Sequence, residues 1–226
     1  MRKILLTVAM ATLVCLPVMA QFRGMGMGGD MSATLLTIEG VQKELKLTDA
    51  QKKDIAKAGK DRTEAFAKAR EDMDMEGFQK AQEGYTKAIA DVKKGLKTDQ
   101  KKRLLGIEVQ VAEKNKTAAI FKNAEVVKAL DLTEKQTDSI KELMSENEKD
   151  AKELFEEAKG DRSKFKGAFE KIQKMGSKSY TKISESLSEK QLETWKELKG
   201  EKFEVTFPKG GFNPKGKAKE KKTDDL

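Results

Sequence analysis

Residues 35–55, LLTIEGVQKELKLTDAQKKDI, and residues 120–140, IFKNAEVVKALDLTEKQTDSI, align without a gap at an offset of 85 residues. Leu35 matches Ile120, Leu36 matches Phe121, Val41 matches Val126 and Leu45 matches Leu130. Leu47 then matches Leu132, Thr48 matches Thr133, Gln51 matches Gln136 and Ile55 matches Ile140. A repeat of this kind means one supersecondary unit used twice, so the fold is argued per unit. A second pair of segments completes each unit: LKTDQKKRLLGI from Leu96 and LSEKQLETWKEL from Leu187. Leu96 matches Leu187, Gln100 matches Gln191, Leu104 matches Trp195 and Ile107 matches Leu198, now at an offset of 91. The second unit therefore carries about six extra residues between its two segments. The units span residues 33–113 and 117–200.

Within each unit the apolar spacing is helical. Phe78, Ala81, Tyr85, Ala88, Ile89, Val92 and Leu96 fall at steps of three and four, as do Phe165, Phe169, Ile172, Gly176, Ser179, Ile183 and Leu187. Ile140, Leu143, Ala151, Leu154 and Ala158 mark another stripe. Each is one apolar face of an amphipathic helix. The first long helix has only a thin stripe of Ile55, Phe66, Ala69 and Met73, interrupted by Gly59. Reverse turns fall near residues 72–77 and 160–161.

Helix starts are marked by capping boxes at Thr48 to Gln51, Thr133 to Gln136 and Ser188 to Gln191. In this device the hydroxyl accepts from a backbone N–H three residues on and the Gln reaches back. The acidic residue after each cap suits the positive end of the helix. After Leu96 the pattern departs: Lys97 takes the Thr position, and Thr98 is a candidate cap one residue later. The fold class is thus all-α: two tandem copies of a short-long-long-short helical hairpin unit forming an elongated cradle or bundle, with no significant sheet. The alternating Phe203-Glu-Val-Thr-Phe207 is expected to be extended and to pack its Phe side chains on the helices.

The remaining segments concern export. Arg2 and Lys3 precede a nearly continuous apolar run over residues 4–16, broken by Pro17. Val18-Met19-Ala20 then forms a small-residue cleavage site. Residues 1–20 are expected to be a signal peptide, with the mature chain starting near Gln21 and no later segment apolar enough to span a membrane. Residues 21–32, with Gly24, Gly26, Gly28 and Gly29, suggest a flexible leader. Residues 201–226 give the Phe-containing segment followed by a basic tail without a core pattern. The expected location is the periplasm or the extracellular space.

Composition restricts chemistry. The chain has 226 residues, no His, and a single Cys, Cys15, inside the signal region. The commonest general base and metal ligand and the thiol nucleophile are therefore missing from the mature chain. No phosphate loop or nucleophile motif occurs. No enzyme activity, cofactor or metal is expected. Charged residues make up 37% with a net charge of +8, but the signs are interspersed, which describes solvated helix faces rather than a nucleic-acid stripe. Met25, Met27 and Met31 in the leader are the residues that suit Cu(I), but a Met/Gly stretch of this kind is more often merely a linker.

The Leu-Thr-x-x-Gln pattern at Leu47, Thr48 and Gln51 and at Leu132, Thr133 and Gln136 resembles that of the Spy/CpxP family of bacterial envelope proteins. Looser copies stand at Leu96 with Gln100 and at Leu187 with Ser188 and Gln191. The resemblance implies a long-helix cradle and a place among ATP-independent periplasmic chaperones, regulators of two-component envelope-stress signalling and metal-responsive relatives. The usual member has one motif pair and dimerises. This chain has two pairs, so it is expected to form the equivalent of that dimer within one chain. The expected function is non-enzymatic binding of unfolded or envelope proteins on an amphipathic helical surface; the alternative is a dedicated partner of a stress sensor. Leu104, Ile107, Phe121 and Trp195 are the candidate client contacts, and the motif residues are assigned mainly to helix capping.

Overall fold

The computed structural model describes residues 31–207 apart from residues 73, 159 and 160. The expected signal peptide, most of the leader and the basic tail lie outside the described residues. The described chain is helical with no strand. In order it forms α1 (Met31–Leu35), α2 (Glu39–Glu44), α3 (Asp49–Glu71), α4 (Met75–Lys94), α5 (Thr98–Asn115), a 3-10 turn (Ala118–Lys122), α6 (Ala124–Ala129), α7 (Glu134–Glu157), α8 (Arg162–Glu185) and α9 (Glu189–Lys199). No described helix is long and apolar enough to cross a membrane.

From α2 to α5 and from α6 to α9 the helix order is the same. The extra length of the second half sits in its long hairpin: α7 and α8 have 24 residues each, whereas α3 has 23 and α4 has 20. The thin apolar stripe of α3 still gives one continuous helix. Its packing is small, with only Ile55, Ala58 and Ala69 buried along its length.

Two cores hold the molecule. The first gathers Leu35, Leu36 and Val41 with Ile55, Tyr85, Ile89 and Leu96. The second gathers Phe121, Val126 and Leu130 with Ile140, Met144, Tyr180 and Trp195. Helix α5 is the wall between them. Its Leu104, Ile107 and Val111 belong to the first core, and its Leu105, Val109 and Ala112 to the second. A helix apolar on both sides is stable only when both sides are covered.

A third face of α5 receives the end of the second half. A Cβ on Gly106 would stand 2.8 Å from the Leu198 carbonyl oxygen and 2.9 Å from that of Lys199, so only glycine permits α9 to cross this closely. Arg103 and Gln110, one turn either side, donate to the Glu201 carbonyl at 2.7 and 2.8 Å. Beyond that point the chain is extended, and Phe203, Val205 and Phe207 pack, partly buried, on the first core while Glu204 and Thr206 face outward.

Two expectations are corrected. The leader does not run to residue 32: Met31 and Ser32 are already in α1, Ser32 is fully buried, and Met31 packs against both cores. Thr98 does not cap α5, because the N-cap is Lys97, whose side chain has no acceptor. Only the returning half of the box survives there, the Lys97 N–H donating to Gln100 Oε1 at 2.8 Å.

Candidate functional site

The four motifs lie at the bases of the hairpins, and each residue type has a local reason. Lys46 and Asp131 take left-handed backbone, with φ of 50° and 49°. The following N–H groups, of Leu47 and Leu132, then donate back to the Gln42 and Val127 carbonyls at 3.0 and 3.1 Å. This closes α2 and α6 in Schellman fashion, and the motif leucine is the apolar residue that such an ending packs inward. Leu47 is buried and Leu132 partly buried. Thr48 and Thr133 next cap the long helices, accepting from the Gln51 and Gln136 N–H groups at 3.2 Å each. Ser188 does the same for α9, accepting from Gln191 at 3.3 Å. The capping assignment of these residues describes what the structure contains.

The glutamines also work at long range. Gln51 donates to the Gly95 carbonyl at 3.4 Å, and Gln100 donates to the Leu45 carbonyl at 2.9 Å. Each reaches the backbone just ahead of the other motif's leucine. In the second half Gln136 donates to the Ser186 carbonyl at 3.2 Å, again one residue before the paired leucine, Leu187. Gln136 and Gln191 also pair amide to amide, at 3.0 and 2.9 Å. Leu96 and Leu187 are buried beneath these links. The motif pair is therefore a clasp that closes the open end of each hairpin and leaves its far end unclasped.

The four apolar residues expected to touch clients are core residues instead. Leu104 is 2% exposed, Ile107 0%, Phe121 1% and Trp195 5%. Phe121 stacks on Trp195 with ring centroids 5.0 Å apart, and Tyr180 packs tilted against Phe121 at 5.6 Å. Burial pushes the Tyr180 hydroxyl up to about 12, with the Glu113 carboxylate adding to the effect. Leu192 is the one large apolar residue classed as exposed among the described residues.

What the sequence reading missed lies toward the far ends of the hairpins. Phe66 and Phe78 pair edge to face at 5.5 Å between α3 and α4, and Phe155 and Phe165 pair at 5.3 Å between α7 and α8. All four are half-buried, and neither pair belongs to either core. Their equivalent place near the turn of each hairpin was the available signal. Beside the second pair runs an open groove of about 430 Å³, floored by Leu154 and Met175. Among the described residues no cluster of three or more acidic, Cys or His side chains is placed to hold a metal. Met25 and Met27 lie outside the described residues.

The arrangement defines an all-helical protein of two clasped hairpins on a shared wall. Compared with known proteins, the chain matches no family model, no curated protein and no solved structure.

Proposed function

We propose that this is an exported, non-enzymatic protein-binding protein: an ATP-independent chaperone of the cell envelope that takes unfolded segments on the outer halves of its two helical hairpins. The observation that carries the reading is the contrast between sealed bases and half-exposed aromatic pairs. Phe66 with Phe78 and Phe155 with Phe165 offer apolar contact on shafts otherwise covered in charged residues of both signs, mixed on the first hairpin and sorted by helix on the second. Such a surface attracts chains through charge and holds them through small apolar patches that release readily. The likeness of the motif pairs to those of Spy/CpxP proteins supports the same class.

The test is suppression of aggregation by the purified protein, without nucleotide, on two unrelated unfolding clients. The reading predicts suppression of both at near-stoichiometric amounts, weakened when Phe66 and Phe155 are replaced by Ser. No suppression of either, with tight binding to one sensor domain, would replace chaperoning with regulation.

A further inference from the structure

Helix α7 has nine acidic and four basic residues, a net charge of −5; α8 has two acidic and seven basic, a net charge of +5. The first hairpin has no such division: α3 carries five acidic and seven basic residues, and α4 three and four. In the second hairpin the division shapes the groove of about 430 Å³. One wall is Asp150, Glu153 and Glu157, and the other is Lys171, Lys174 and Lys178. Both triplets have the spacing i, i+3, i+7, which keeps each on one side of its helix. Asn147, donating to Ser179 Oγ at 2.7 Å, fixes the antiparallel register, so acids and lysines face each other along the groove.

All six charged side chains are exposed, and none makes a salt bridge or side-chain hydrogen bond with a described residue. Two rows of opposite charge therefore flank a half-buried apolar floor without closing on each other. A surface that complements this one has an apolar ridge, a basic row to lie over α7 and an acidic row to lie over α8.

A second copy of the same groove has that layout. Consider two grooves face to face about a two-fold axis running along the hairpins. α7 of one copy then lies over α8 of the other on both sides, acid over lysine, and Leu154 and Met175 of the two copies meet between them. A two-fold axis across the hairpins would set acid over acid. We propose that the second hairpin is a self-association surface, and that its charge division selects the first of these arrangements. The resulting interface is isologous and closed, as a two-fold requires. It uses the second hairpin only and leaves the first open. It does not depend on the chaperone reading, since it follows from charge placement alone.

Sedimentation velocity of the full chain at low ionic strength, from low to high micromolar protein, tests it. A monomer–dimer equilibrium is expected. Raising salt from about 0.05 M to about 0.5 M is expected to weaken it by roughly tenfold or more, because exposed charge rows are screened. Two triple variants test whether the two charged rows carry the association: Asp150→Lys, Glu153→Lys and Glu157→Lys in one, and Lys171→Glu, Lys174→Glu and Lys178→Glu in the other. Each alone is expected to be monomeric, and an equimolar mixture is expected to form a heterodimer. Circular dichroism confirms that both remain helical; if either does not, the single changes Glu153→Lys and Lys174→Glu are mixed instead. A wild-type chain that stays monomeric throughout, or a dimer that survives in both variants, would overturn the proposal.

Discussion

The two hairpins share their bases and differ in their shafts. At the bases, Thr48 and Thr133 have nearly the same backbone angles, Lys46 and Asp131 are both left-handed, and the Gln of each first motif reaches the residue before the paired leucine. On the shafts, the first hairpin mixes its charges, while the second sorts acid onto α7 and lysine onto α8. The common part is thus concerned with folding, and the divergent part is where the proposed binding is placed.

The comparison is broken most strongly by emptying a core. Phe121→Ala removes the ring that contacts both Tyr180 and Trp195 and is expected to cost about 3–5 kcal/mol, and Leu36→Ala at the matching position about 2–5 kcal/mol. Urea unfolding followed by circular dichroism measures both; a loss well under 1 kcal/mol at either site would mean that its half is not packed as described. Because α5 walls both cores, the two variants should each lower a single shared transition.

The clasp comes next. Gln136→Ala removes both part-buried amide contacts with Gln191 and the exposed one to the Ser186 carbonyl, an expected loss of about 1–3 kcal/mol. Gln51→Ala breaks an exposed and longer bond, so its loss is expected to be smaller, under about 1.5 kcal/mol. The reverse order in the same unfolding experiment would mean that Gln51 carries more of its clasp than its one exposed long-range contact accounts for.

Smaller still are the caps. Thr48→Ala and Thr133→Ala should cost about 1 kcal/mol each, and Thr98→Ala much less, since Lys97 occupies the cap. One effect is absent near neutrality and confined to alkaline solution. Tyr180 is pushed up to about 12 by burial, whereas an unfolded tyrosine titrates near 10. Its folded value is the higher, so its contribution is complete below about pH 10 and is lost as pH rises toward about 12. Tyr180→Phe should flatten the pH dependence of thermal unfolding across that window.

Much of this was legible in the residues. Thr48, Thr133 and Ser188 announce helix starts because a capping box is a local device, complete within four residues. The long-range duty of Gln51, Gln100, Gln136 and Gln191 was hidden, since it depends on which loop each amide meets after folding. Leu104, Ile107, Phe121 and Trp195 were misplaced for a related reason: an apolar stripe does not say whether a second layer covers it. A clue was present in Leu104, Leu105, Ile107, Val109, Val111 and Ala112, which ring α5 and so require cover on two sides. Met31 and Ser32 join the fold although the glycines before them read as a linker, because their burial depends on α5 and the two cores rather than on neighbours in sequence.

Hydrogen exchange of the protein with and without an unfolding client tests the central claim most directly, that binding belongs to the shafts and stability to the clasped bases. The account predicts slowed exchange toward the far ends of the hairpins, around Phe66, Phe78, Phe155 and Phe165, with α5 unchanged. Altered exchange in α5 around Leu104 and Ile107, with the shafts unaffected, would contradict it.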